Sequence, residues 1–168
     1  SRLYAISPDG TAATVSPALG VHAYAAGAMV SGSATSPALV PGTATSRRVC
    51  TGYEIRDDES GAVLASGAAA SFSDFEMPSQ PVTLVWKWAM IENRLAVAAH
   101  ANGAVDAAEA WVVSTGDYPA VTATASDAYE FQYWTGDVDY ADRFSNPLIL
   151  KADRPRTVKA FFGRISGG

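Results

Sequence analysis

"FQYWTGDV", residues 131–138, places three aromatic side chains directly before a Thr-Gly-Asp turn signal. Side chains on a regular β-strand alternate between two faces. Trp134 would therefore leave the face of Phe131 and Tyr133 and share the opposite, polar face with Gln132. Two explanations fit a bulky indole at that position. Either a local change of register carries Trp134 into a core, or the indole is exposed as a platform for a ligand.

Alternating apolar residues predict further strands. The clearest is "PVTLVWKW", residues 81–88, and the pattern returns in "RLAVAAH", residues 94–100, and "VTATAS", residues 121–126. "LILKA", residues 148–152, and "RTVKAFF", residues 156–162, complete the set. With short strands separated by Gly, Pro, Asp and Asn, the chain is predicted to be all-β with at most one short helix. The predicted inward-facing residues are Val82, Leu84, Trp86, Trp88, Leu95, Val97, Ala99, Val121, Ala123 and Ala125.

The segment "VDAAEAWVV", residues 105–113, allows two interpretations. Asp106 could cap the start of a helix, with Glu109 three residues later as in a capping box. Gly103 and Gly116 would limit that helix to two or three turns. The β-branched pair Val112–Val113 favours a strand instead.

Composition excludes several classes of protein. Of the 168 residues, 48% are hydrophobic and 17% charged, which is too apolar for a disordered chain, and no apolar run is long enough to span a membrane. The formal net charge of −5 argues against a nucleic-acid partner, which requires a basic surface. Basic residues between Lys151 and Arg164 alternate with apolar ones, so we expect them on solvated strand faces.

Catalytic chemistry finds little support in the sequence. His22 and His100 are the two candidate bases, and both lie in Ala-rich segments without a Gly-x-Ser-x-Gly nucleophile motif. Cys50 is the single cysteine, which predicts a buried thiol and leaves no cysteine cluster for zinc. We therefore expect neither an enzyme nor a bound cofactor.

Carboxylates concentrate in two polar loops. A pair suited to glycoside hydrolysis would show only as a separation in space, and solvated loop residues are the simpler interpretation. "DVDYAD", residues 137–142, spaces three acids as a calcium loop could, but it lacks the Gly and the terminal Glu of an EF-hand. Whether this loop binds calcium stays open. The six carboxylates are Asp57, Asp58, Glu59, Asp137, Asp139 and Asp142.

The two halves of the chain resemble each other. "RLYAISPDG", residues 2–10, and "RLAVAAHANG", residues 94–103, both begin with Arg-Leu, continue through a short strand and end at a Gly. Each half then contains an aromatic strand ("TGYEI", "DAYEF"), a polar stretch and closing strands. We therefore predict two modules in tandem, residues 1–90 and 91–168.

The second half carries a longer motif in which a Phe-x-x-Trp-x-Gly-Asp run is followed by Asn-Pro-Leu-x-Leu and then by Val-x-Ala-x-Phe. This order and spacing resemble the divergent internalin-type B-repeat, also called the bacterial surface repeat. Ser126 and Ala128 depart from the Pro and Gly usual in the family. The matching residues are Val121, Thr122, Ala123, Tyr129, Phe131, Trp134, Gly136, Asp137, Asn146, Pro147, Leu148, Leu150, Val158, Ala160 and Phe162.

The first half resembles a longer, more divergent copy of the same repeat. It lacks the Trp that the family places after Tyr53, offering Ile55 followed by "RDDES". The match in this half is therefore the weaker one. Its matching residues are Arg48, Gly52, Tyr53, Phe75, Met77, Pro81, Leu84, Trp86 and Trp88.

The resemblance implies two small antiparallel β-rich modules, β-grasp-like or sandwich-like, from a secreted or cell-surface bacterial protein. Such modules serve as a stalk, a scaffold or an adhesion element, and the family offers no catalytic residues. The partners it implies are neighbouring repeat modules of the same parent chain, or a surface glycan or protein. Neither nucleic acid nor membrane insertion is implied.

The resemblance also bears on Trp134, because the Trp belongs to the structural pattern of the repeat. We predict that the strand bulges or turns just before Thr135 and brings Trp134 into the core with Phe131. The alternative function, a carbohydrate- or protein-binding module, would need at least two exposed aromatic residues on one face. Its candidate ligand-binding residues are Tyr133, Tyr140, Asp137 and Asp139.

Overall fold

The computed structural model describes residues 1–8 and 13–166. It confirms an almost entirely β chain, whose one helical segment among these residues is the 3-10 turn Tyr140–Asp142. The chain divides into two compact units, Ser1–Ile91 and Glu92–Gly168. In the part of the chain that the structure describes, no helix has the length and apolar character needed to cross a membrane.

The first unit is built on a mixed sheet with the order β3-β1-β10-β7-β8. Its central pair, β1 and β10, is parallel, while the other neighbours are antiparallel. A smaller sheet has the order β2-β4-β9, and β5 pairs with β6. The strands are β1 Arg2–Ile6, β2 Val15–Ser16, β3 Gly20–Ala23, β4 Met29–Ala34, β5 Ala38–Leu39, β6 Ser46–Arg48, β7 Cys50–Asp57, β8 Val63–Gly67, β9 Ser71–Glu76 and β10 Val82–Trp88.

The second unit has a main sheet in which β13, β11, β16 and β15 lie side by side. Here too the central pair, β11 and β16, is parallel. Short strands β12 and β14 form a separate antiparallel pair. The strands are β11 Glu92–Ala99, β12 Gly103–Val105, β13 Glu109–Val113, β14 Ala123–Ala125, β15 Tyr129–Gly136 and β16 Arg156–Arg164.

Both units follow the same strand path. In each, the first strand pairs antiparallel with the third, and the second pairs with the fourth. The first strand also runs parallel to the last, which pairs antiparallel with the long strand β7 or β15. The first unit adds β5, β6, β8 and β9 to this path. Antiparallel pairs predominate as predicted, and the parallel central pair matches the β-grasp-like alternative.

Each unit has its own core, and the inward-facing residues predicted from alternation lie there. In the first unit, Val82, Leu84 and Trp86 are fully buried beside Leu3 and Ile55. Cys50 is buried in the same cluster, as predicted. The second core contains Leu95, Val97, Tyr118, Val121, Ala123, Trp134, Leu148, Leu150, Ala152, Val158, Ala160 and Phe162.

The largest core residue changes strand between the units. Counting from Leu3 and Leu95, the strand registers give Trp86 and Ala160 equivalent places in the last strand. Across the antiparallel pair, Trp86 faces Tyr53 and Ala160 faces Trp134. Close-packed cores tolerate such an exchange when the filled volume is kept. The missing Trp after Tyr53 is therefore compensated by Trp86.

Residues 103–113 form strands β12 and β13, so the helical alternative is wrong. Asp106 does not cap a helix. Its Oδ1 accepts a hydrogen bond from the Thr122 backbone N–H at 2.9 Å, and its own N–H donates to the Thr122 carbonyl at 3.1 Å. The strand preference of Val112–Val113 outweighs the capping pattern because β13 pairs along its whole length with β11.

The prediction of a strand at "LILKA" is wrong in detail. Isolated bridges join Val121 to Leu148 and Asp117 to Lys151, without a continuous ladder. Leu148, Leu150 and Ala152 nevertheless alternate into the core.

Asn146 takes over part of the missing pairing. Its side-chain amide donates to the Ala123 carbonyl at 2.8 Å and accepts from the Ala123 N–H at 2.9 Å. These two hydrogen bonds satisfy the backbone N–H and carbonyl of Ala123, which a residue of a neighbouring strand would otherwise pair.

Tyr118 makes the stability of the second unit depend on pH in the alkaline range. Its ring is buried, its hydroxyl donates to the Arg154 carbonyl at 2.9 Å, and burial raises its pKa to about 12 from an ordinary value of 10.0. A raised pKa contributes stability that is complete below pH 10.0 and is lost as the pH approaches about 12.

We expect the urea concentration at the unfolding midpoint of the second unit to decrease as the pH rises from 10 to 12. Tyr118→Phe should weaken this slope, at a cost of about 1 kcal/mol at neutral pH for the lost hydrogen bond. Tyrosinate absorbance and circular dichroism recorded together would test this. Tyr140→Phe is the control because Tyr140 is exposed. An unchanged slope in Tyr118→Phe would contradict the assignment.

Candidate functional site

A bulge in β15 places Trp134 in the core. The register between β15 and β16 shifts between Phe131 and Tyr133, and this shift brings Trp134 opposite Ala160. The indole is 1% exposed and lies 5.5 Å from the Phe131 ring, centroid to centroid. The predicted bulge and the core position of Trp134 are both confirmed.

Trp134 also holds the loop that follows β15. Its Nε1–H donates to the Ser145 carbonyl at 2.7 Å, and its backbone N–H donates to the Arg143 carbonyl at 2.7 Å. One core residue thus fixes both ends of the segment Arg143–Ser145. Any side chain that this loop presents is positioned by the core beneath it.

Asp137, a predicted ligand-binding residue, takes part in backbone pairing. Its Oδ2 accepts from the Thr157 N–H at 2.8 Å, and its own N–H donates to the Thr157 carbonyl at 2.9 Å. The residue before it, Gly136, has φ of +100°. Asp137 therefore closes the turn after β15.

Arg156 corrects the prediction that the basic tail lies on solvated faces. It is 7% exposed, whereas Lys151, Lys159 and Arg164 are exposed as expected. Its guanidinium donates to the carbonyls of Lys151 at 2.9 Å and Asp137 at 3.1 Å, and to the Asp153 carboxylate at 3.1 Å. Alternation in β16 places Arg156 on the same face as Val158 and Ala160, so the pattern did carry a signal for this inward position. It could not show the hydrogen-bond partners, which lie in loops on either side.

We expect Arg156→Met to lower the free energy of unfolding of the second unit by about 2 kcal/mol, since two carbonyls lose a charged donor. Methionine keeps most of the apolar stem, so the loss reports the hydrogen bonds. Urea unfolding followed by circular dichroism measures the effect. Lys159→Met, on an exposed position of the same strand, should change stability by less than about 0.5 kcal/mol. Equal effects of the two substitutions would contradict this role.

Three rings surround one guanidinium in the loop after β15. The Arg143 guanidinium carbon lies 5.1 Å from the Tyr133 ring centroid, 4.8 Å from Tyr140 and 4.9 Å from Phe144. Tyr133 also stacks on Phe161 of β16 at 5.1 Å. We call these five residues, Tyr133, Tyr140, Arg143, Phe144 and Phe161, the aromatic platform.

The aromatic platform is open to solvent. Tyr140 is 75% exposed, Phe144 56% and Phe161 36%, while Tyr133 is half-buried. A hollow of about 240 Å³ lies beside it, lined in part by Tyr133, Tyr140 and Arg143. The structure thus brings two of the four predicted ligand-binding residues, Tyr133 and Tyr140, to one surface.

Sequence reasoning missed Arg143, Phe144 and Phe161. Phe161 and Phe162 are adjacent, so one of them had to point away from the core, and this was the one available signal. No strand periodicity could identify Arg143, because it lies in a loop and its position depends on the hydrogen bond from the Trp134 backbone.

Asp139 and Asp142 lie at the 3-10 turn, and both are exposed. Asp142, Asp139 and Asp153 border a second hollow of about 300 Å³, together with Lys151 and Arg156. Across residues 1–8 and 13–166, no group of three or more His, Cys, Asp or Glu side chains is placed to hold a metal ion.

The acidic loop of the first unit uses its carboxylates locally. Asp57 Oδ1 accepts from the N–H groups of Glu59 at 2.8 Å and Ser60 at 3.1 Å, and Asp58 accepts from the Thr83 hydroxyl at 2.5 Å. The ammonium of Lys87 on β10 holds the pKa of Glu54 on β7 below its ordinary value, and Arg56 adds to the effect. These contacts place Asp57 in a turn, Asp58 against Thr83 and Glu54 in an ion pair.

Each of the two histidines contacts a neighbouring group. His22 Nε2 is 2.5 Å from the Ala18 carbonyl oxygen, and the His100 ring packs edge-on against Phe161 at 5.6 Å. Each contact gives the imidazole a structural neighbour.

Comparison with known proteins identifies one family. Residues 93–166 match the model of the divergent InlB B-repeat domain. No curated protein and no solved structure matches the chain. The resemblance seen in the second half is confirmed, and one copy of the repeat is found.

Proposed function

We propose that the chain, whose residues 93–166 match the divergent InlB B-repeat domain, is a non-catalytic repeat segment of a secreted or cell-surface bacterial protein. Its main role is spatial: it acts as a stalk or scaffold that sets the position of other parts of the same protein. Bacterial surface repeats are the family to which this match points, and that family is generally non-catalytic.

One observation carries this proposal: the described residues form two separate cores with the same strand path. Three of the four tryptophans, Trp86, Trp88 and Trp134, are buried, with exposures of 1%, 9% and 1%, and Trp111 is half-buried. Units that bury their own cores and repeat one path suit tandem arrays, in which each module adds length. The shared path also supports the first unit as a divergent second copy.

The test exchanges this chain, within its parent protein, for an unrelated pair of β-modules of equal length. We expect surface display and the function of the flanking regions to be kept, because a spacer depends on length and rigidity. An antibody against the chain should label intact bacteria. Loss of function after the exchange, with display intact, would overturn the spacer role.

The aromatic platform favours recognition as a second role. A purely spatial module gains nothing from Tyr140 and Phe144 in solvent, since exposed rings of this size usually mark contact surfaces. The alternative of a carbohydrate- or protein-binding module needs at least two exposed aromatic residues on one face, and these rings supply them. Both roles are compatible in an adhesion module.

A further inference from the structure

We propose that the aromatic platform is a binding subsite for a neutral carbohydrate chain. This inference rests on the recognition role and is independent of the spacer role. The site consists of Tyr133, Tyr140, Arg143, Phe144 and Phe161, together with the adjoining hollow of about 240 Å³.

The platform is fixed before any ligand binds. The Arg143 guanidinium lies within 5.1 Å of three ring centroids, a distance at which cation–π attraction holds rings and cation together. The Arg143 carbonyl accepts from the backbone of Trp134, which is part of the core. Ordering side chains on binding costs free energy, and a surface ordered in advance avoids that cost.

Its chemistry matches the two kinds of surface on a sugar ring. The C–H faces of a pyranose are apolar and stack on aromatic rings, and Tyr140 and Phe144 expose theirs. The hydroxyl groups at its rim both donate and accept hydrogen bonds. The Arg143 guanidinium supplies N–H donors. Tyr133 and Tyr140 add hydroxyls beside the hollow.

Charge and size favour a neutral glycan over other ligands. Asp139 and Asp142 lie in the same loop and are exposed, and the net charge is −5, so polyanions are repelled. Each aromatic side chain can bury about 150–250 Å² of surface. The four rings of the platform are already partly covered, so the area that they leave free falls short of the roughly 800 Å² that a stable protein interface buries on each partner.

Affinity electrophoresis of the 168-residue chain through gels containing β-glucan, mannan or galactomannan tests the proposal. We expect at least one of these neutral polysaccharides to retard the chain. Tyr140→Ala and Phe144→Ala should each weaken binding about tenfold, the loss of one stacked ring. Both residues are exposed, so the variants should fold, and circular dichroism verifies it. Tyr4→Ala, at a 46% exposed tyrosine of the first unit, is the matched control and should bind normally.

Four results would overturn the proposal. One is the absence of retardation by all three polysaccharides, and another is equal retardation of the Tyr140, Phe144 and Tyr4 variants. The third is retardation by dextran sulfate alone, which would indicate a polyanion site. The fourth is binding to mucin that survives enzymatic removal of its glycans, which would indicate a protein ligand. None of these results affects the exchange experiment, so failure of the subsite and failure of the spacer role are distinguishable.

Discussion

Trp134→Ala should lower the free energy of unfolding of the second unit by about 3–5 kcal/mol, the range for deleting a large buried aromatic side chain. The indole is 1% exposed and packs beside Phe131 opposite Ala160. Because neighbouring strands are held by backbone ladders, they cannot close a cavity of this size. Urea unfolding followed by circular dichroism measures the loss.

Trp134→Phe separates packing from hydrogen bonding. Phenylalanine keeps most of the apolar volume but removes the Nε1–H donor to the Ser145 carbonyl, so we expect a smaller loss of about 1–3 kcal/mol. Phe144→Ala, at a 56% exposed ring of the same unit, should cost less than about 0.5 kcal/mol. If Trp134→Ala lost less than about 1 kcal/mol, its assignment to the core would be wrong.

Trp134→Phe also tests whether the core positions the proposed subsite. Trp134→Phe removes the Nε1–H bond to the Ser145 carbonyl but keeps the backbone N–H bond to the Arg143 carbonyl, so it should loosen one end of the loop while the unit stays folded. We expect carbohydrate binding to weaken in this variant although Trp134 does not itself contact solvent. Stability and recognition are thus coupled through one residue.

The core position of Trp134 could be predicted because the resemblance to the repeat decided between two alternatives that local alternation left open. Strict alternation put an indole on a polar face, and one extra residue in the strand resolves that conflict. The bulge between Phe131 and Tyr133 is that resolution. Local alternation identified the inward faces of β10, β11 and residues 121–125.

The aromatic platform could not be predicted in full, because it is assembled across strands and a loop. Tyr133 meets Phe161 through the register of β15 and β16, and a sequence does not show which residues lie opposite one another. Arg143 depends on a bond to the backbone of Trp134. The hydrogen bonds of Arg156 could not be predicted for the same reason, since its acceptors come from separate loops.

Trp86 shows how a pattern can mislead when register is unknown. From the sequence alone, the absence of a Trp after Tyr53 suggests that the core of the first unit lacks a large side chain. Across the strand pair, Trp86 lies opposite Tyr53, with ring centroids 6.1 Å apart, and fills the equivalent space. Side-chain volume is kept in the core while the residue that supplies it changes strand.

Gly136→Ala should lower the free energy of unfolding of the second unit by about 3 kcal/mol or more, through two separate effects. Its φ of +100° is a conformation that costs an L-residue about 1–2 kcal/mol. A Cβ at this position would also overlap the carbonyl oxygen of Thr157, which is backbone of the paired strand and cannot rotate away. Thermal or urea unfolding followed by circular dichroism gives the difference.

Gly42→Ala separates the two effects. Gly42 has φ of +80° and no atom within 4 Å of an added Cβ, so its substitution should cost only the backbone term of about 1–2 kcal/mol. The excess loss in Gly136→Ala then measures the overlap with Thr157. That overlap would push apart the strands that Asp137 and Thr157 join, so Gly136→Ala should also disturb the turn leading to Tyr140 and weaken carbohydrate binding. Equal losses for the two glycines would contradict the close approach of β15 to β16 at this point.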